Sequence, residues 1–176
     1  QSMSEATRLE HIIERTEKQS FELVDFLESY LGSYTHQTLH DKSLKIQFDP
    51  QLSQRPINGS PELFAQMLDK ILDNAVDFAH ANTEITVALN QKGYLTVQNI
   101  GDGIPHGMAE ALFDSMVSIR GESENDTQLH LGLGLHIAKM IANFHGFNIA
   151  IKEMPCKKIN EAGQAKSVTV SIAESA

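Results

Sequence analysis

Three short segments of this 176-residue chain carry residue types whose spacing could do chemistry. The first is Lys70-Ile-Leu-Asp73-Asn74-Ala75-Val76-Asp77-Phe78, where a carboxamide stands in a helical run beside a small alanine. An asparagine inside a helix is slightly unfavourable and commonly just faces water. Turned into a cleft, its oxygen suits a hard cation, because Mg²⁺ takes oxygen ligands and keeps waters and phosphates as its other partners. The second segment is Asn99-Ile100-Gly101-Asp102-Gly103-Ile104-Pro105, placed at the end of a strand. Such a sequence builds an ordinary turn. It also lets backbone approach a flat ligand closely, while an amide at the strand end bonds the ligand's polar edge. The third is Gly132-Leu133-Gly134-Leu135, read as the opening of a helix, where free N–H groups and the positive end of the helix dipole favour an anion.

Two phosphate-binding patterns are rivals for the third segment, and both fail. A dinucleotide fingerprint needs its third glycine where Ile137 stands, and needs a strand where the chain has the polar run GESENDTQLH. A Walker loop needs Gly-Lys-Ser/Thr, which does not follow.

These segments need elements to position them. Residues 4 to 18 put Leu9, Ile12, Ile13 and Thr16 on one side of a helix, and residues 21 to 34 put Leu23, Phe26, Leu27, Tyr30, Leu31 and Tyr34 on one side of another, with Thr16 to Ser20 as the joint. A strand is expected at Leu44 to Phe48, then a loop to Ser60. Ser60-Pro61-Glu62 starts a helix with a capping hydroxyl, a proline whose missing N–H does no harm and a first-turn acid. Over residues 61 to 80, Leu63, Phe64, Met67, Leu68, Ile71, Leu72, Ala75 and Ala79 form its apolar stripe. Gln66, Lys70, Asn74 and Asp77 form a second, polar face. Thr83 to Leu89 and Tyr94 to Asn99 alternate as a hairpin around Asn90 to Gly93. A short helical patch at Met108 to Met116 and a polar loop lead to the Gly132 helix, which ends at Gly146. Strands at Phe147 to Met154 and Lys166 to Ala173 close the chain around a polar loop containing Gly163. The sum is an α/β two-layer sandwich, a mixed sheet of about five strands covered on one face by about three helices.

Composition removes several classes. Lys plus Arg number 14 against 23 Asp plus Glu, a formal charge of −9, so no basic field exists to hold a nucleic acid backbone. Cys156 is alone, which excludes an internal disulfide and cysteine-rich metal frameworks and fits a reducing compartment. No apolar run approaches the roughly 20 residues that span a bilayer. The start at Gln1 carries no signal region and reads as a piece of something longer, with any membrane anchor upstream.

Taken in order, the asparagine helix, the strand ending in GDGIP, the loop and the GLGL helix resemble the catalytic ATP-binding domain of sensor histidine kinases, in the superfamily that includes gyrase, the Hsp90 chaperones and the mismatch-repair ATPases. LDKILDNAVDFA resembles that family's N box, NIGDGIP its first glycine box, LFDSM its F box and LGLGL its second glycine box. The runs MSEATRLEH and LFDSMVSIR look like a narrower branch, the proteobacterial dedicated sortase system histidine kinases.

The resemblance implies residues 1–19 as the end of the second helix of a dimerisation and phosphoacceptor hairpin, and residues 20–176 as the catalytic domain with an ATP lid at about 105–131. Asn74 matches the magnesium-binding asparagine and Phe78 the aromatic near adenine. Gly101 and Gly103, with Ile104 beside them, match the first glycine box, Phe113 the lid phenylalanine, and Gly132 and Gly134 the phosphate-side glycines, with Leu131, Leu133 and Leu135 between them and His130, a candidate phosphate contact, in place of that box's usual first glycine. ATP and Mg²⁺ are the implied cofactors. A response regulator and the domain's own hairpin, in a homodimeric protein of the bacterial inner membrane with this domain in the cytoplasm, are the implied surroundings.

The chain also departs from the family. Asn99 stands where an aspartate usually accepts from the adenine amino group, and an amide oxygen accepts without charge assistance, so adenine preference with weaker affinity is expected. Asp77 replaces a common lysine, with Lys70 a substitute phosphate contact one turn earlier. Gyrase-like hydrolases carry a water-activating glutamate at the position of Lys70, and a protonated lysine cannot do that work. Ser115 replaces an arginine and Met116 an aromatic, leaving Ser118 and Arg120 as candidates to reach phosphate. The family's acceptor histidine is followed by an acid and a base, and His11-Ile-Ile-Glu14 does not match. His36, His40, His80, His106, His136 and His145 are expected as surface or cap residues. The reading is therefore a histidine kinase catalytic domain without its acceptor. A nucleotide-binding module without transferase activity, or a serine-directed kinase or ATPase of the same superfamily, stands beside it.

Overall fold

A computed structural model of the chain describes residues 4–104, 126–160 and 163–175. Among them run α1 (Glu5–Arg15), β1 (Gln19–Glu22), α2 (Leu23–Ser33), α3 (Gln37–Asp41), β2 (Lys45–Pro50), β3 (Pro56–Gly59), α4 (Pro61–Phe78), β4 (Glu84–Leu89), β5 (Leu95–Gly101), α5 (Asp126–Phe144), β6 (Phe147–Asn160) and β7 (Gly163–Glu174). The five-stranded sheet has the order β2-β4-β5-β7-β6, with β2 and β4 parallel and every other pair antiparallel. Helices pack on one face of it, so the mixed two-layer α/β architecture expected from the sequence is the one observed.

Helix α4 forms where its start signals lie. Ser60 Oγ accepts from the Leu63 N–H and Pro61 fills the first turn. Phe64, Met67, Leu72 and Val76 are completely buried, each contributing about 1.5–3 kcal/mol against the sheet. At its other end Lys42 Nζ donates to the carbonyls of Val76, Asp77 and Ala79, which have no partner within the helix.

The sequence reading is corrected in several places. Residues 19–22, expected as the end of a joint and the start of a helix, and residues 56–59, expected as loop, pair as a small antiparallel sheet, β1 with β3. At four residues each, with Pro56 and Gly59 at the ends of β3, they show no readable alternation. Helix α3 was also unread. Strands β6 and β7 run further than expected, pairing up to Asn160 and Gly163, so the polar loop between them is short. Helix α5 is already formed at Asp126, the first described residue of this segment, and does not open at Gly132. His145, expected at the surface or as a cap, is buried, 8% exposed, and caps the end of α5 with Nδ1 at 2.8 Å from the Ile141 carbonyl. The expected helical patch at Met108 to Met116, with Phe113, Ser115, Met116, Ser118, Arg120 and most of the lid, lies outside the described residues.

One apolar core joins the layers. It includes Leu9 of α1, Leu23 and Leu27 of α2, the α4 stripe, Ile85, Val87, Leu89, Leu95 and Val97 of the sheet, and Ile137 and Ile141 of α5. Thus Leu9 belongs to this core, while Ile12 on the same helix is left 50% exposed.

Candidate functional site

Strand β5 carries the first anomaly. Its inward residues are Leu95, Val97, Asn99 and Gly101, so the alternation that buries two hydrophobes also buries an amide, 6% exposed. Above it lies the polar face of α4 with Asn74. The Nδ2 atoms of both amides are buried without a hydrogen-bond partner. A buried donor left unmade costs about 1–3 kcal/mol, so two in one place call for a ligand.

Both line one narrow cavity of about 50 Å³ that opens to solvent. Its helix wall is Ile71, Asn74, Ala75 and Phe78, and its sheet wall is Val97, Asn99, Ile151, Val168 and Val170. Gly103, Ile104 and Leu135 complete the lining. An apolar slot with a few polar atoms is the ordinary form of a small-molecule site. The structure thus brings together Asn74, Phe78, Asn99, Gly103, Ile104 and Leu135 of the expected residues. It adds walls from β6 and β7 that carried no sequence signal beyond strand alternation.

Other expected residues sit differently. A side-chain carbon on Gly101 would fall 2.1 Å from the Phe78 carbonyl oxygen, so glycine there permits α4 to close onto β5, where Ala79 bridges to Gly101. Gly101 does not line the cavity. Gly103, with φ +91°, is in the conformation that glycine alone adopts readily. The Asp77 carboxylate turns away from the slot, 3.8 Å from His36 Nε2. The backbone of His130, Leu131, Gly132 and Leu133 lies within α5, so the N–H groups around Gly132 to Leu135 belong to the interior of a helix and do not form its free end. Gly134 nonetheless faces the slot's edge, since a β-carbon there would sit 3.7 Å from Asn74 Nδ2 and 3.9 Å from Lys70. Lys70 Nζ pairs with Glu5 of α1 at 3.0 Å.

The cation question turns on Asn74. Among the described residues no group of three or more His, Cys, Asp or Glu side chains could hold a metal. The neighbouring Asp73 carboxylate is engaged by the Tyr34 hydroxyl at 2.7 Å. The unpartnered atom is Asn74 Nδ2, a donor as placed; a half-turn of the amide puts Oδ1 in the same space, and a single oxygen suits an ion that takes its other ligands from phosphates and water.

On the far flank of α4, Tyr30 donates to Asp69 at 2.5 Å. Burial first, and the bonds to Asp69 and Asp73 second, hold the hydroxyls of Tyr30 and Tyr34 well above the ordinary phenol range. In the core, the Ser60 N–H donates to His145 Nε2 at 3.0 Å, and His145 Nδ1 lies 2.8 Å from the Ile141 carbonyl. Burial pushes the His145 pKa down.

A two-layer sandwich with an amide-bearing helix over an apolar slot has the form of a small-molecule-binding domain, and comparison with known proteins says of which class. Residues 59–175 match the family described as histidine kinase-, DNA gyrase B- and HSP90-like ATPases, and the chain belongs to it. It is 28% identical over 141 residues to the sensor histidine kinase YkoH of Bacillus subtilis, covering 80% of this chain and 29% of that protein. It is 25% identical over 139 residues to the adaptive-response sensory kinase SasA of Microcystis aeruginosa, covering 77% of this chain and 35% of that one. The chain spans about a third of the length of these relatives. Its fold matches the cytoplasmic segment of the histidine kinase QseC, with a TM-score of 0.62 and 19% identity over 99% of this chain and 97% of that one.

Proposed function

We propose that the chain is the catalytic domain of a two-component sensor kinase, binding Mg-ATP and passing the γ-phosphate to a histidine imidazole on a dimerisation hairpin, from which a response regulator takes it. The observation that carries this is the pair of unpartnered amides, one on the helix wall and one on the sheet wall of a single apolar slot. The base would occupy the slot against Phe78 and Ile104 with its polar edge at Asn99. The phosphates would leave past Asn74, Lys70 and Gly134. Asn74 would hold Mg²⁺ through its oxygen, and the ion would neutralise phosphate charge there.

Transfer would break the terminal P–O bond of ATP, form a P–N bond to the imidazole and release ADP. Such transfers depend on positioning and charge neutralisation more than on covalent work by protein side chains. In this reading residues 1–19 belong to the hairpin and residues 105–131 cover the nucleotide. The domain would work on the cytoplasmic side of a membrane-anchored homodimer; among the described residues no helix is long and apolar enough to cross a membrane.

The experiment is to mix the domain with its hairpin and radiolabelled ATP and look for an acid-labile, base-stable phosphate. Asp77, placed beside His36 where the family often has a phosphate-facing lysine, favours a second reading, a nucleotide-binding module without transferase activity. Intact Mg-ATP binding with no label on the hairpin would select it.

A further inference from the structure

The sheet wall of the slot presents a carboxamide that both donates and accepts. Asn99 is nine-tenths buried and its Nδ2 has no partner in the protein. Its surroundings supply none: Val97 precedes it on the same face of β5, and Val168 stands opposite it on β7. Phe78 and Ile104 line the same cavity. An unmet buried donor is retained where something from outside completes it. A half-turn of the amide exchanges its oxygen and its NH₂ in nearly the same space. The same side chain can therefore accept from an exocyclic amine or donate to an exocyclic carbonyl, and the apolar walls contact the ring whichever substituent it bears.

We propose that the base end of this slot admits 6-oxopurine nucleoside triphosphates alongside 6-aminopurine ones, with Asn99 as the residue that sets the tolerance. The inference rests on the nucleotide reading above. A carboxylate in the same place would accept from an amine but set lone pair against lone pair on a carbonyl. A buried site whose polar group is left unmatched rejects the wrong ligand strongly.

The test is calorimetric titration of the 176-residue chain with ATP and with ITP, each with Mg²⁺. ITP differs from ATP at the purine 6-position, with a carbonyl in place of the amine and a protonated ring nitrogen beside it, and lacks the 2-amino group that would complicate GTP. Dissociation constants within about tenfold of one another are expected. ITP binding weaker than ATP binding by more than about tenfold overturns the proposal and leaves the nucleotide reading standing. No heat from either ligand overturns both. Asn99→Asp should widen the ITP-to-ATP ratio by about a hundredfold or more, and an unchanged ratio in a folded Asn99→Asp chain removes Asn99 from the role. Asn99→Ser keeps a group that donates and accepts, so its ratio should stay near the parent's, and a ratio as wide as that of Asn99→Asp also counts against the proposal. Should the aspartate variant not fold, the parent chain's ratio decides.

Discussion

The two polar flanks of α4 are built in opposite ways. On the flank toward α2, carboxylates one turn apart meet donors: Asp69 with Tyr30 and Asp73 with Tyr34, and Asp77 lies near the imidazole of His36. On the flank toward β5 and α5, Asn74 leaves its buried amide nitrogen unmet, and Asn99 across the slot does the same. The first flank is architecture, since its polar atoms satisfy one another and pin α2 to α4. The second has the form of a site, since its buried amide nitrogens have no partner within the protein. Partnering, more than polarity, separates them.

That contrast is broken most directly at Asn74. Asn74→Ala should weaken Mg-nucleotide binding by about a hundredfold or more, some 2.7 kcal/mol, while changing unfolding free energy by under about 1 kcal/mol, because the lost N–H had no partner in the protein. Calorimetry and a urea melt on one preparation measure both. A variant that loses stability but keeps affinity would move Asn74 to the architectural side.

Tyr34→Phe is the converse. It strips the donor from Asp73 and should cost about 1–2 kcal/mol of stability with Mg-nucleotide affinity unchanged within about twofold. A loss of affinity with stability intact would show the tyrosine flank reaching the ligand.

Much of this was legible beforehand. The α4 stripe was read residue by residue because a long helix repeats its signal over several turns, and Asn99 fell on the inward side of β5 by simple alternation. What the sequence does not show is partnering. Nothing in the string distinguishes Asn74, left open, from Asp73 beside it, held by a residue 39 positions away. The cavity walls Ile151, Val168 and Val170 read as ordinary strand residues, since their role comes from register across the sheet. At α5 the glycine pair Gly132 and Gly134 reads as a helix opening, whereas both lie inside a helix already formed at Asp126.

His145 extends the comparison to the core, where a buried polar group is fully partnered. Its Nε2 accepts from Ser60, its Nδ1–H donates to the Ile141 carbonyl, and Phe64, Phe144 and Phe147 surround the ring, with the Lys18 charge nearby. Protonation would place a proton where the Ser60 N–H points. With the folded pKa depressed, the unfolded chain binds the proton first. Stability contributed by the neutral ring is therefore complete above about pH 6.5 and falls as pH drops below it, by up to about 1.4 kcal/mol per unit. Chemical denaturation from pH 7.5 to 5.5 should show that decline, and His145→Gln should flatten it. An unchanged slope would mean that another group titrates there.

The smallest effect probes the boundary between the two flanks, at Lys70. Its Nζ is held 3.0 Å from Glu5, with the two side chains 30% and 39% exposed, and such a pair is worth about 0–1 kcal/mol. If Lys70 serves the phosphates, Glu5 competes with them for the same ammonium group, and the coupling passes from α1 into the slot. Glu5→Gln keeps the size and removes the charge, so it should raise Mg-ATP affinity about two- to threefold at low salt, with the gain shrinking as salt screens the pair. Lys70→Gln in the same chain should remove most of that gain, leaving only the relief of direct repulsion between the Glu5 carboxylate and the phosphates. Equal affinity for the parent and Glu5→Gln at low ionic strength would place Lys70 with the paired residues of the other flank, leaving Asn74 and Asn99 as the groups that define the site.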